Sequence, residues 1–466
     1  MREPVELDFR LSGYDFALPE ELIAQSPAAE RSGSRLMVLR RDRDELEQAM
    51  FSDIVRFLPE GCLLVANNSR VVPARLIGQR PSGGKVEFLL LTPLPLLEPE
   101  ELEARERDGL ERREDGLAET AGPEKGEWRR AGAEGLLRPA KKIAQGELLR
   151  LAPDFALRVL EHGDFGRCRM IVYWRGDLGA VLERRGGLPL PPYIRRTGPD
   201  PSGAARNAAP DTARNAAPDV TPGAARQAAP AAGPWGTDAE RYQTVYARPD
   251  KAGSVAAPTA GLHFTAELRQ EIERSGRQWE EVTLYVGYGT FSPVRSPDIR
   301  EHAMHAEYAE LPEHTLSAVL RAKAEGRPVI AVGTTSARVL EGVRELRPDL
   351  FAGGAGGSAH AGAWAFAGAA APAGAAAPGK GSGPGSAQAR RNAEPAAFAG
   401  WLSTFLYPGR PVRVVDGLVT NFHLPQSSLL MLVSALAGRE RILRAYGRAV
   451  AGGFRFFSYG DAMIIL

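Results

Sequence analysis

The sequence predicts an α/β fold, and three observations carry that prediction. Short apolar runs alternate with amphipathic helical patterns over most of the chain, and polar turns stand where strands give way to helices. Between about 70 and 162 the short runs follow one another without helices between them, which marks a small β-rich unit inside the α/β frame. The expected division is therefore 1–69 with 163–466 as a discontinuous α/β domain, and 70–162 as the inserted unit. Taken in order, strand-like runs occur at Leu36 to Leu39, Leu63 to Ala66, Val86 to Leu91, Arg169 to Tyr173, Val282 to Val286, Val329 to Val332 and Val412 to Val419. Helical patterns fall near 20–25, 265–275, 314–325, 335–345 and 439–451, with a further apolar helix beginning at Leu429.

Three segments depart from the globular pattern. Residues 97–134 are dense in Glu and Arg and read as a solvated helix or loose loop. Residues 198–236 repeat an Ala-Arg-Asn-Ala-Ala-Pro-Asp unit, whose short step with Pro and Ala cannot bury a core and reads as disorder. Residues 351–398 are almost entirely Ala, Gly, Pro and Ser and read as a flexible loop.

The chain has 466 residues, of which 44% are hydrophobic, enough for a substantial core. A net charge of +1 neither favours nor excludes nucleic acid, because a basic face can sit on a neutral molecule. Nearly all of the 58 basic residues are arginine, an excess shared with Ala, Gly and Pro and attributed to coding bias. Two cysteines without C-x-x-C spacing exclude a disulfide framework and a cysteine zinc site. With no signal-peptide pattern and no apolar run of membrane-spanning length, the expected location is cytoplasmic, with no membrane partner.

Three hydroxyl-rich turns stand out as ligand sites. Val329 to Ser336 reads as a strand, a tight turn at Gly333 and a helix start whose N–H groups and Thr334, Thr335 and Ser336 hydroxyls suit a carboxylate or phosphate. Ala257 to His263, with Thr259 and Gly261, is the second, and Thr420, Asn421, Phe422 and His423 are the third. In an open α/β sheet such turns converge at the carboxyl ends of strands. Their alternative role is simple helix capping.

His302 and His305, with Glu307 beyond, form an H-x-x-H pattern that one helical turn would bring together, but no third metal ligand is spaced to match. Acid–base or substrate contact is the better reading, and no metal is expected. The turn Gly287-Tyr288-Gly289-Thr290-Phe291 follows a strand, but it lacks the third glycine and the clean helix start of a dinucleotide fingerprint. For RNA, the polar cluster Asn68, Arg70 and Arg75 and the interleaved Phe454-Arg455-Phe456-Phe457-Ser458-Tyr459 offer cations and stacking rings. A buried C-terminal strand explains those Phe residues equally well.

Several of these stretches, with Asp15-Phe16-Ala17-Leu18-Pro19, Ile23 to Pro27, Asn67 to Val71, Pro189 to Ile194, Arg241 to Tyr246, Gly253 to Phe264, His302 to Glu307, Val332 to Ser336, Asp416 to Ser434 and Phe456 to Met463, closely resemble the S-adenosylmethionine:tRNA ribosyltransferase-isomerase family of queuosine synthesis. The resemblance spans nearly the whole chain outside the three biased segments. It implies a β-barrel-like domain inserted in a discontinuous α/β domain. It further implies S-adenosylmethionine as co-substrate with no bound prosthetic group, and a tRNA carrying 7-aminomethyl-7-deazaguanine as partner; a monomer is expected, although the sequence itself does not encode the oligomeric state. The implied reaction needs a base for a C–H beside the sulfonium and an acid for departing adenine. The pool for these is His263, His302, His305, His423, Asp416 and Asp461. Glu307, Asp461, Tyr285 and Phe291 are candidates to face the sulfonium, and Arg455, Arg70, Arg75 and Asn68 to face RNA.

Departures from the family pattern are Tyr285 where His commonly precedes Val-Gly, Leu402 where a Thr is common, and Cys62 where an acidic residue is common. Two other classes stay open on sequence: an S-adenosylmethionine-dependent RNA methyltransferase, which would release S-adenosylhomocysteine, and a non-catalytic tRNA-binding protein, which would consume no co-substrate.

Overall fold

The structure, a computed structural model, describes residues 5–43, 45–80, 82–102, 106, 110, 126–195, 238–287, 294–352 and 396–466. Contacts divide the chain into one unit of Met1–Ser69, Thr244–Lys251 and Ala257–Leu466, and a second of Arg70–Gln243 and Ala252–Ala256. The segment expected as disordered at 198–236 lies outside the described residues, as does nearly all of 351–398.

The larger unit is built on a nine-stranded mixed sheet. Its strands are β1 (Arg35–Arg40), β2 (Glu45–Met50), β3 (Leu63–Asn67), β4 (Gln278–Leu284), β5 (Glu307–Pro312), β6 (Val329–Val332), β7 (Ala396–Leu402), β8 (Gly417–Asn421) and β9 (Ala462–Ile465), in the spatial order β7-β5-β4-β3-β6-β8-β9-β1-β2. Four central strands, β4, β3, β6 and β8, run parallel. β3, β6, β8 and β9 are buried along their whole length, as expected of strands covered on both faces, which explains why they read as continuous apolar runs rather than alternating ones. The helices are α1 (Ala266–Arg274), α2 (Glu313–Ala324), α3 (Thr334–Leu346), α4 (Ser428–Ala437) and α5 (Arg439–Ala451). α1 is capped by the Thr265 side chain and α4 by that of Ser427, each accepting an N–H of the first turn.

One face of the sheet packs Leu64, Ala66, Trp279, Ile330, Val332 and Val419 against Phe51, Phe264 and Leu268. A second apolar centre surrounds Phe422, whose ring lies 5.2 Å from Tyr446 and 5.1 Å from Phe456. Each such fully buried ring contributes about 2 to 3 kcal/mol by its removal from water. Phe454 and Phe456 are thus core residues that precede a strand beginning only at Ala462, and they are not a stacking surface for bases.

The run Val412 to Val419 forms a strand only from Gly417. The N–H groups of Arg413, Val414 and Val415 donate instead to the buried carboxylate of Glu341 on α3, which takes the place of a neighbouring strand. A glutamate side chain competes with the ladder here, and no local apolar pattern reveals that.

The smaller unit is an antiparallel sheet in the order Arg75–Gln79, Lys85–Leu90, Trp128–Arg138, Arg167–Arg175, Phe155–His162 and Leu148–Ala152. Its first and last strands approach each other: a Cβ placed on Gly78 would lie 2.9 Å from Leu151 Cα, and Arg80 pairs with both oxygens of Glu147 at 3.1 and 3.2 Å. The sheet is thereby nearly closed into a barrel. Arg167–Arg175 pairs along its length with both neighbours, so the sheet runs past residue 162, where the sequence placed the boundary. The expected loose segment 97–134 also contributes to it: Glu100–Glu101 pairs with Arg129 and Arg130 at the start of the strand Trp128–Arg138.

Candidate active site

The strand directions gather most of the singled-out residues at one edge of the larger sheet. β3, β4, β6 and β8 all end there, at Asn67, Leu284, Val332 and Asn421. β9 is antiparallel to β8, so Asp461 precedes a strand that starts at this edge, and β1, parallel to β9, brings Ser34 and Arg35. β5 is antiparallel to β4 and contributes Glu307 and the segment 302–306 before it.

His263 ends a 3₁₀ helix, Thr259–His263, and its ring is buried against Phe51 at a centroid distance of 5.0 Å. Nδ1 lies 2.7 Å from Ser34 Oγ and Nε2 lies 3.0 Å from Asn421 Nδ2. Burial lowers the imidazole pKa from 6.5 to about 4, against the opposing pull of Asp461, so the ring is neutral at pH 7. Gly261, in the same helix, has no room for a side chain because a Cβ would lie 2.0 Å from Tyr246 Oη. Close packing on Tyr246 therefore explains this glycine without a ligand.

Thr420 and Asn421 are successive residues of a strand and point to opposite faces. Thr420 Oγ1 meets His423 Nε2 at 2.8 Å, and the His423 backbone N–H donates to Tyr446 Oη at 3.0 Å. Burial lowers the His423 pKa to about 3. Two of the three non-glycine residues with positive φ among the described residues flank this edge: Gln426 at 58° and Phe457 at 73°. Left-handed backbone at such residues is strained, and strain of this kind concentrates at functional sites.

At the β6 end, Gly333 has φ 90°, which a side chain would resist, and α3 begins immediately after it. Ser336 Oγ donates to Val332 O at 2.9 Å, while Thr335 Oγ1 is buried with no hydrogen-bond partner. The first-turn N–H groups of α3 have no acceptor inside the helix. Arg338, one turn on, is buried. Its Nη1 pairs with Glu307 Oε2, its Nε donates to Thr404 O at 3.3 Å, and its Nη2 is left without a partner. The other Glu307 oxygen accepts the Gly287 N–H at 2.7 Å. Glu307 is thus committed to Arg338 and to the backbone rather than open to a sulfonium. Arg338 was missed in the sequence; its one signal is an arginine on an otherwise apolar stretch of helix.

The remaining residues divide clearly. His302 is half-buried with its ring edge-on to Phe405 at 5.2 Å, and burial, then His305, lowers its pKa. Both histidines lie on the irregular segment between a 3₁₀ turn, Ile299–Glu301, and β5, not on one helical turn. Among the described residues no group of three His, Cys, Asp or Glu is placed to hold a metal ion. Asp461 accepts the Arg35 N–H at 2.9 Å, the Arg35 guanidinium at 3.1 and 3.2 Å, and the Arg455 N–H at 2.8 Å, which makes it a clasp between β1 and the turn before β9. The Tyr285 hydroxyl donates toward Glu310 at 3.4 Å, and burial raises its pKa. Gly289 and Phe291 lie outside the described residues.

Asp416 stands at the opposite edge, where β8 begins. It takes Lys323 Nζ at 2.8 and 2.9 Å and the Val329 N–H at 2.9 Å, which rules it out as a partner of His263 or His423. Asn68 is buried, donating to Glu281 at 3.2 Å and accepting from Thr283 at 2.8 Å, so it serves β3 and β4 and not RNA. Arg75 pairs with Glu87 at 2.8 Å and is partly exposed, as is Arg70. Arg455, about one-third exposed, donates to Ser26 O at 3.3 Å.

The queuosine biosynthesis protein model matches residues 11–465. The chain belongs to this family. A relative from Nitratidesulfovibrio vulgaris strain DP4, named S-adenosylmethionine:tRNA ribosyltransferase-isomerase, is 48% identical over 462 residues, covering 98% of both chains. A relative of the same name from Oleidesulfovibrio alaskensis is 46% identical, with 98% and 93% covered. A crystal structure of S-adenosylmethionine tRNA ribosyltransferase from Thermotoga maritima matches at 26% identity with a TM-score of 0.41, over 98% of this chain and all of that one. Family membership and the α/β architecture with its barrel-like sheet agree with the expectations from sequence. No helix among the described residues is long and apolar enough to cross a membrane.

Proposed function

We propose that the chain transfers and isomerises the ribosyl moiety of S-adenosylmethionine onto 7-aminomethyl-7-deazaguanine at the wobble position of tRNA. The products are epoxyqueuosine-tRNA, adenine and methionine. The observation that carries this reading is near-complete coverage at 48% identity by a relative named for that activity. S-adenosylmethionine acts as co-substrate, tRNA as acceptor, and the protein works in the cytoplasm as a monomer.

The carboxyl edge of the sheet is the reaction site in this reading. The first turn of α3, with Thr334, Thr335 and Ser336, receives the anionic end of the co-substrate, because partial positive charge collects at a helix start. Proton transfer falls to His302, His305 and His423 rather than to His263, both of whose ring nitrogens are engaged. Arg70, Arg75 and Arg455 meet the RNA backbone. Holding both substrates in line supplies much of the acceleration.

The test is mass spectrometry after mixing the protein with S-adenosylmethionine and tRNA bearing the aminomethyl-deazaguanine base. Free adenine, methionine and an epoxycyclopentane nucleoside are expected. A methylated nucleoside with S-adenosylhomocysteine would replace this reading with methyl transfer. Salt-dependent tRNA binding without turnover would leave a binding protein.

A further inference from the structure

Asn421 is buried at the end of β8, and its amide has an orientation that its neighbours dictate. Nδ2 lies 3.2 Å from Phe457 O and 3.0 Å from His263 Nε2. A carbonyl oxygen only accepts, so the NH₂ group must face Phe457. Its second hydrogen then points at His263 Nε2, which must be the lone-pair nitrogen. The imidazole proton therefore sits on Nδ1 and is donated to Ser34 Oγ at 2.7 Å. Phe457 itself has φ 73°, and its carbonyl also accepts the Gly460 N–H at 2.8 Å. The strained residue thus fixes the far end of the chain Ser34–His263–Asn421–Phe457.

This arrangement leaves Asn421 Oδ1 buried with no hydrogen-bond partner. A buried amide oxygen without a donor is costly, and natural structures keep such groups chiefly where a ligand or an ordered water completes them. Burial alone does not place it at a site, but its position does: it belongs to the strand end beside the Gly333 turn, where Gly333 N–H donates to Val419 O at 2.8 Å.

We propose that Asn421 Oδ1 is the acceptor for an N–H donor of the nucleoside co-substrate, and that Ser34, His263 and the Phe457 carbonyl are positioning groups that hold it. This rests on the reading of S-adenosylmethionine as co-substrate. Two donors of that molecule share the required chemistry, the purine 6-amino group and the α-ammonium group. A neutral acceptor fixed against a neutral imidazole suits either.

The experiment is calorimetric titration of the full chain and of Asn421→Ala with three ligands. These are S-adenosylmethionine, its analogue with hydrogen in place of the 6-amino group, and its analogue lacking the α-amino group. Asn421→Ala should weaken S-adenosylmethionine binding roughly tenfold if the donor is the neutral 6-amino group and by more than that if it is the charged α-ammonium group. For the analogue lacking the contacted N–H, parent and variant should bind alike, which also identifies the donor. The same loss with both analogues would overturn the proposal, since a merely structural defect does not depend on which ligand group is removed. If Asn421→Ala does not fold, Asn421→Ser enters the same cycle. Imidazole ¹⁵N spectra, assigned with His263→Gln, should show the Nδ1–H form of His263; the Nε2–H form would overturn the orientation. Absence of any S-adenosylmethionine binding by the parent chain, together with absence of turnover, would remove the functional reading and this proposal with it. Normal turnover with an unaffected variant would remove the proposal alone.

Discussion

At the start of helix α3 the Thr335 hydroxyl and Arg338 Nη2 are buried without partners, whereas one turn past Arg338 the Glu341 carboxylate accepts the N–H groups of Arg413, Val414 and Val415 at 2.8 to 3.1 Å. The strands flanking the helix repeat the contrast. Asn421 Oδ1 is without a partner where β8 ends, while Asp416 is saturated by Lys323 and the Val329 N–H where β8 begins. The polar groups compared at one edge are spent on the fold, whereas at the other Thr335 Oγ1, Arg338 Nη2 and Asn421 Oδ1 retain capacity to meet a ligand among neighbours that also serve the fold.

Arg338→Met should break this contrast most severely. It leaves the buried Glu307 carboxylate without its cation, at a cost of about 4 kcal/mol, and removes the unpartnered donor. Adding Glu307→Leu should restore much of the stability in urea titrations but not the turnover. Recovery of both would show the pair to be scaffolding only.

Glu341→Ala is the matching change at the other end. Loss of the acceptor for three backbone N–H groups should cost about 3 kcal/mol in denaturant unfolding. Turnover per folded molecule should stay within twofold, and a larger loss would blur the division between the ends.

The buried histidines sharpen the comparison through pH. His263 and His423 have folded pKa values of about 4 and about 3, below the unfolded 6.5. The unfolded chain binds protons more readily, so their contribution is complete above pH 6.5 and is lost as pH falls toward 4. At pH 5 each should have cost about 2 kcal/mol relative to pH 7.5. Unfolding titrations across that range measure the sum, and His263→Gln should remove about half of the slope.

Asp416→Asn gives the smallest expected effect. The Lys323 pair is over one-third exposed and the substitution keeps an acceptor for Val329, so the loss should be about 1 kcal/mol or less, with turnover unchanged. A large drop in turnover with normal stability would return Asp416 to the catalytic pool.

The fold class was legible because buried parallel strands and amphipathic helices write their periods directly into the chain. The edge to which a residue belongs was not, since it depends on strand direction and order. Asp416 and Asn421 share one short motif, yet one sits at each end of β8. Asn68 looks like an RNA contact in sequence, yet it and the adjacent Asn67 are both spent on the sheet. In the structure the Asn67 side chain bonds both the N–H and the carbonyl of Leu284, continuing a backbone ladder that the chain itself has ended. His302 and His305 were readable as candidates by residue type, but their irregular backbone follows from the turn before β5 and not from their spacing.

The clasp between Arg35 and Asp461 joins residues 426 apart. During synthesis at roughly 5 to 20 residues per second, β1 waits on the order of 20 to 90 s for β9, its neighbour on the inner side. Throughout that interval the hairpin of β1 and β2 presents an open apolar strand edge, the kind of surface that recruits other chains. The interval ends only when β9 arrives, so the inner edge of β1 stays uncovered until the last residues of the chain have been made.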